Sequence, residues 1–224
     1  MSVVDNFIEV QSEIMDFCKG KNLSMAKILV VSKKQSIEKI QSIIDSGYKT
    51  FAENYVQEWR EKEDALRGQG VHWHFIGQLQ TNKVKYLVGK VELIHTLDSE
   101  KLWVEIDKRA KSIGVVQEVL LQIDWEKRED RGGIAFDELE SFFELQEKFP
   151  STLVRGLMTV APIEEEAKLC FQRTADMFAK LKEKNPSLSH FDQLSMGMSG
   201  DYLNAIESGA NLVRIGSKIM GERQ

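Results

Sequence analysis

Ile28-Leu29-Val30-Val31-Ser32-Lys33 is a brief run of apolar, mostly β-branched residues that ends in a hydroxyl and then an amine. Its shortness and bounded ends fit a strand buried on both faces, as parallel sheets require, better than an amphipathic helix. Lys33 then stands at the strand's C-terminal end, where barrels and open α/β sheets carry their reactive groups. Partial desolvation there disfavours the ammonium and leaves a nucleophilic amine, so a Schiff-base lysine is one reading. A solvated lysine just past a strand is the commoner outcome for such a residue taken alone.

Outward from this run the same pattern repeats. Strand-like segments follow at Lys49–Ala52, Val71–Ile76, Val91–Thr96, Val115–Asp124, Thr152–Thr159, Phe191–Ser195 and Asn211–Ile215. Each has a helix-like segment after it. Ile37, Ile40, Ile43 and Ile44 mark the first, closed by Gly47 in the usual C-terminal cap position. Others cover about Asn54–Leu66, about Thr81–Val88, a stretch capped by Asp98 or Ser99 and running to Ile113, and Phe136–Phe149, which stops at Pro150. Glu164–Lys184, a segment holding Tyr202, Leu203 and Ile206 and closing at Gly209, and a short piece from Ser217 complete the set. Val3, Phe7, Ile8, Val10, Ile14, Met15 and Phe17 recur near helical spacing, so residues 1–20 form an additional N-terminal helix packed on the rest. The loop Glu126–Gly133 is charged, and its Gly132-Gly133 pair argues for mobility. Eight strand–helix units predict an α/β fold, a single (β/α)8 TIM-type barrel over residues 1–224 with an extra N-terminal helix. A doubly wound open sheet is the alternative, disfavoured by the count of eight.

Composition narrows the function. The 224 residues are 42% hydrophobic and 29% charged, which suits a soluble domain with a sizeable core. The net charge of -5, without a basic block, leaves nucleic acid no electrostatic footprint. No apolar run reaches membrane-spanning length, and the acidic start of the chain is not a signal peptide. Cys18 and Cys170 lie far apart in no metal-type spacing, which points to a reduced, cytoplasmic compartment.

The unusual residues fall at strand ends. Lys33, Asn54, Gly77, His95-Thr96, Asp124, Met158-Thr159, Ser195 to Ser199 and Gly216-Ser217 all lie at or just beyond C-termini of predicted strands, the reactive face of a barrel. Loops are polar anyway, which for any single residue is the simpler explanation. Two segments suit phosphate: Ser195-Met196-Gly197-Met198-Ser199-Gly200-Asp201 and Arg214-Ile215-Gly216-Ser217-Lys218. Their glycines let backbone amides approach an anion, Ser199 and Ser217 add hydroxyls, and barrels often bind phosphate after strands seven and eight. Arg214 interrupts an apolar strand and needs an acceptor, either a neighbouring acid or a ligand atom in the barrel mouth. His72 and His74 share a strand face and could bind a metal with His95 or Asp124, as in metal-dependent barrel hydrolases. The simpler arrangement has one histidine hydrogen-bonded inside and the other at the solvated strand end.

Val31-Ser32-Lys33, FAENYVQE from Phe51, WHFIGQLQTNK from Trp73, HTLD from His95, RGLM from Arg155, LSMGMS from Leu194 and VRIGSKIMG from Val213 together resemble the pyridoxal phosphate homeostasis proteins. Those are barrel-only relatives of the bacterial alanine racemase N-terminal domain. The likeness runs nearly the whole length, in order. It implies that Lys33 holds pyridoxal 5'-phosphate covalently as a Schiff base and that Arg214 faces the pyridine nitrogen. It further implies that Ser199, Gly216 and Ser217 surround the phosphate and that Asn54 lines the same pocket. Three departures stand out: Ala52 where glycine is usual, Gln35 where a second lysine is common (Lys34 supplies a neighbouring amine), and Gln78 in place of proline.

An arginine at the pyridine nitrogen would leave that nitrogen unprotonated and the ring a weak electron sink. Two-sided racemisation also needs a second acid or base, which racemases draw from a separate β-domain; the chain ends at Gln224, just after the eighth unit, so no C-terminal β-domain is expected. The expectation is therefore a non-enzymatic, monomeric, cytoplasmic protein that buffers pyridoxal phosphate or delivers it to apo-enzymes. A weak amino-acid racemase and a metal-dependent barrel hydrolase are the rivals.

Overall fold

β1 (Lys27–Val31) pairs in parallel with β2 (Thr50–Glu53) on one side and with β8 (Leu212–Ile215), the last strand of the chain, on the other. The computed structural model describes residues 2–125, 132–162 and 166–221, and residues 126–131 of the predicted charged loop lie outside them. β3 (His72–Phe75), β4 (Leu93–Leu97), β5 (Gln117–Asp124), β6 (Thr152–Thr159) and β7 (Gln193–Ser195) follow in chain order around the sheet. Pairing of β4 with β5, Ile94 opposite Val119, closes the ring into an eight-stranded parallel barrel. A further two-residue strand, Ile134–Ala135, lies beside the end of β5. Its two residues carry no periodicity that a sequence reading could detect.

Why the β1 run is continuously apolar is visible in its alternation. Ile28 and Val30 join the large core between sheet and helices, whereas Leu29 and Val31 belong to a second cluster inside the barrel with Ala52, Leu93, Leu120, Met158 and Leu212. Both faces of the strand are buried, so both need apolar side chains. The same period of two aims the next odd position, Lys33, over the interior at the C-terminal mouth.

The helices are α2 (Ile37–Asp45), α3 (Val56–Ala65), α4 (Val84–Leu87), α5 (Glu100–Ser112), α6 (Leu139–Glu144), α7 (Glu166–Lys184), α8 (Tyr202–Glu207) and α9 (Ser217–Met220), after the opening α1 (Val3–Lys21). Ser99 is the cap of α5 and accepts from the Leu102 amide. α1 buries Phe7, Val10, Ile14 and Cys18 and packs on α2, α8 and α9. Its Glu13 receives Tyr202 Oη of α8 at 2.5 Å and Lys218 Nζ of α9, so the N-terminal helix braces the two helices that follow the predicted phosphate loops. The expected helix Phe136–Phe149 is broken: α6 has a 3-10 turn on each side, Phe136–Glu138 and Leu145–Lys148. The expected helix Thr81–Val88 likewise begins as a 3-10 turn, and such tight turns are common at the ends of short helices. Among the described residues, no helix is long and apolar enough to cross a membrane.

Candidate functional site

At the C-terminal mouth, strand ends β1, β2, β7 and β8 surround a cavity of about 490 Å³ lined by Lys33, Asn54, Ser199, Arg214, Gly216 and Ser217. The six residues that the family resemblance puts around the cofactor thus line one cavity. Val31, Ile76, Met158 and Val160 give it an apolar floor. A mostly apolar hollow with a few convergent polar groups is the general form of a small-molecule site. Lys33 is half-buried, just beyond β1. Asn54 follows β2 directly, and its buried Oδ1 has no hydrogen-bond partner among the described residues. The Gly216 amide donates to Ser199 Oγ at 3.2 Å, which ties the loops after β7 and β8 together at the rim.

Three charged residues that the sequence reading did not single out hold the backbone on both sides of Lys33. Lys62 Nζ, buried on α3, donates to the Ser32 carbonyl at 2.7 Å, to Glu53 at 2.6 Å and to Glu58 at 2.7 Å. Ser32 Oγ donates to the same Glu53 oxygen at 2.7 Å, and the Lys34 amide donates to Glu58. Lys34 has a left-handed φ of 55°, uncommon for a non-glycine residue, and the anchored amide holds it there. Burial pushes the Glu53 carboxyl up, while the Lys62 ammonium beside it pulls the other way. The only hint in the sequence was a lysine inside a helix that faces the sheet.

Arg214 on β8 is 4% exposed. It has no carboxylate in salt-bridge range among the described residues; Nη1 donates to Ser195 Oγ and Nη2 to the Thr159 carbonyl, both at 2.7 Å. Desolvation lowers its pKa to about 10, offset in part by the negative charge of Asp201, so it stays cationic near neutrality. A salt bridge to an acid, one of the two partners considered for it, is replaced by neutral acceptors.

His95 is not at the mouth, as its place in the sequence suggested. It is fully buried in mid-strand on β4, with Nδ1 3.1 Å from Ser195 Oγ and Nε2 2.9 Å from His74 Nδ1. That strand runs one residue past its expected end, to Leu97, with a register irregularity between Ile94 and Leu97. His72 is exposed at the start of β3 beside Glu92, so one histidine is inside and the other outside. Among the described residues, no group of three or more His, Cys, Asp or Glu could hold a metal ion. Gly77 is required at the end of β3: a Cβ there would lie 1.8 Å from the Asn54 carbonyl oxygen. Asp124, Gly77, Thr96 and Met158 line an adjoining cavity of about 180 Å³ that shares Asn54.

The family model of the alanine racemase N-terminal domain matches residues 16–224. The pyridoxal phosphate homeostasis protein of Aquifex aeolicus is 40% identical over the full length of both chains. That of Haemophilus influenzae is 34% identical, covering 100% of this chain and 97% of its own. The structure of PipY from Synechococcus elongatus with PLP bound superposes with a TM-score of 0.86 at 26% identity, over 98% of this chain and 100% of that one. Alanine racemase from Clostridium difficile shares the fold, with a TM-score of 0.67 at 16% identity over 92% of this chain and 56% of its own.

Proposed function

This chain belongs to the pyridoxal phosphate homeostasis protein family, and we propose that it binds pyridoxal 5'-phosphate in the Lys33 cavity as a carrier, without robust catalysis. The residues present suit that group. A buried, uncompensated guanidinium complements an acceptor nitrogen on an aromatic ring. The hydroxyls of Ser199 and Ser217 and the backbone at Gly216 suit a phosphate, and the orphan Asn54 Oδ1 awaits a donor. When bound, the cofactor supplies an aldehyde and an electron-withdrawing ring.

Each role is a matter of side-chain chemistry. Lys33 would hold the group covalently through its amine. Lys62, Glu53 and Glu58 keep the backbone on both sides of that lysine in register. Arg214 would face the ring nitrogen and, cationic near neutrality, would give it no proton, which would leave the ring a weak electron sink. Ser199, Gly216 and Ser217 would hold the phosphate.

The observation that carries the non-catalytic reading is the make-up of the cavity wall. Lys33 and Arg214 are the only ionisable side chains on its described lining, and arginine does not exchange its proton near neutrality. A racemase needs a second proton-exchanging group opposite the lysine. We further propose a monomer in the cytoplasm, where the buried free thiols of Cys18 and Cys170 would stay reduced, serving PLP-dependent apo-enzymes as recipients.

The test is the absorbance spectrum of purified protein beside Lys33→Ala. A visible band in the wild type alone, lost on borohydride reduction with the label retained on the Lys33 peptide, is the expected result. A band in both proteins, or in neither after incubation with the cofactor, overturns the reading. Turnover of an alanine enantiomer at an ordinary enzymatic rate would overturn the carrier assignment alone.

A further inference from the structure

A row of polar side chains crosses the otherwise apolar barrel interior from the Lys33 cavity to the opposite mouth. It runs Arg214 Nη1 to Ser195 Oγ at 2.7 Å, Ser195 Oγ to His95 Nδ1 at 3.1 Å, His95 Nε2 to His74 Nδ1 at 2.9 Å, and His74 Nε2 to Glu92 Oε2 at 3.7 Å. Glu92 opens on the N-terminal cavity, where Lys27, His72, Glu118 and Arg155 are the other charged or titratable groups.

The two ends decide where every hydrogen in the row lies. Arginine can only donate, so Ser195 Oγ accepts from it and keeps its single hydrogen for His95 Nδ1. A neutral His95 whose Nδ1 accepts carries its proton on Nε2 and donates to His74 Nδ1. By the same step His74 carries its proton on Nε2, facing the Glu92 carboxylate. The reverse polarity would aim a bare His74 lone pair at that carboxylate and leave the Ser195 hydrogen without an acceptor in the row. The environment agrees with a neutral imidazole in the centre: burial above all pushes His95 well below 6.5. Glu92 is held down at about 2, chiefly by His74 and His72 against the opposing effect of burial.

We propose that His95 and His74 are positioning residues for Arg214, and that the Glu92 charge at the far mouth sets the hydrogen-bond polarity of the whole row. The effect on the cofactor rests on the function proposed above; the row itself does not. Such an arrangement makes a carboxylate on the non-reactive face part of the cofactor site. Loss of its charge frees His74 and His95 to take the other tautomer, which removes the acceptor for the Ser195 hydrogen and weakens Ser195 Oγ as the acceptor for Arg214.

Two readouts test it. In histidine-labelled protein without cofactor, nitrogen NMR should find His95 and His74 neutral with the proton on Nε2, and Glu92→Gln should mix the tautomers. A His95 proton on Nδ1 in the wild type overturns the proposal. In loaded protein, Glu92→Gln and His95→Gln should each weaken binding of pyridoxal phosphate by at least about fivefold, the lower end of ordinary coupling between sites, or move its absorbance maximum. Glu92→Asp should restore the wild-type value, and Lys27→Ala, at the same mouth outside the row, should leave it unchanged. Normal loading of the wild type with Glu92→Gln and His95→Gln indistinguishable from it overturns this inference alone. A wild type that does not load overturns the proposed function and leaves the NMR arm standing.

Discussion

Lys62 Nζ lies 2.7 Å from the carbonyl oxygen of Ser32, so a buried helix ammonium holds the peptide unit that leads into Lys33. Its other partners, Glu53 and Glu58, leave it nearly neutralised in a site where its side chain is 5% exposed and that of Glu53 is fully buried. Removing one member of a buried pair strands the other charge. Lys62→Met is therefore expected to destabilise the protein by about 3 kcal/mol in urea unfolding. Lys62→Met combined with Glu53→Gln should recover much of that stability, since the carboxylate left behind, Glu58, is 22% exposed rather than fully buried, yet still load pyridoxal phosphate poorly because the Ser32 carbonyl has lost its donor. Full loading by the double variant would show that the anchor is dispensable.

Gly77→Ala places a methyl group 1.8 Å from the Asn54 carbonyl oxygen, a backbone atom that cannot swing aside. The expected loss is about 3 kcal/mol, as for overpacking elsewhere in folded cores, read as a lower melting temperature. Since the displaced strand end carries Asn54, cofactor affinity should fall as well. A variant with wild-type melting would mean that β2 and β3 separate there without strain.

Both thiols should be inert in the folded protein. Cys18 is 1% exposed and so shielded from reagents, and burial pushes the Cys170 thiol up to about 11, so almost none of Cys170 is thiolate at pH 8. Ellman's reagent should label neither until denaturant is added; rapid labelling of either in buffer would contradict the packing around α1 or α7.

The acid branch of the stability curve should carry a Glu92 component. Its folded pKa of about 2 lies below the ordinary glutamate value of 4.5, so its contribution is complete above 4.5 and fades as pH falls toward 2. The side chain is 53% exposed, and solvent screening cuts the contribution to about 1 kcal/mol. Wild type should thus be more stable than Glu92→Gln at pH 6, with the gap closing by pH 2.5. A gap that stayed constant or widened on acidification would contradict the His72 and His74 pairing.

How much could be read in advance depended on whether a feature is periodic. The β1 run, its two-sided burial and the inward aim of Lys33 follow from alternation along one strand, and the glycine-rich loops after β7 and β8 announce themselves by composition. The paired roles weighed for His72 and His74 separated correctly into one inner and one outer residue. His95 was misplaced to the mouth because β4 runs past its expected end, to Leu97, with an irregularity in its register. The helix drawn as Phe136–Phe149 failed at both ends, where winding tightens without any change in hydrophobic pattern.

The amino-acid order alone determined the eight repeating units, the faces of their strands and the group of residues at their C-terminal ends, because each of these is set within a few neighbouring residues. Only the closed barrel decided that Lys62 reaches under Ser32, that Arg214 meets a serine rather than an acid, and that His74, His95 and Ser195 touch. Those contacts join residues from 19 to 100 positions apart. They depend on the stagger with which strands close around the ring, a global quantity to which every strand contributes and which no single segment encodes.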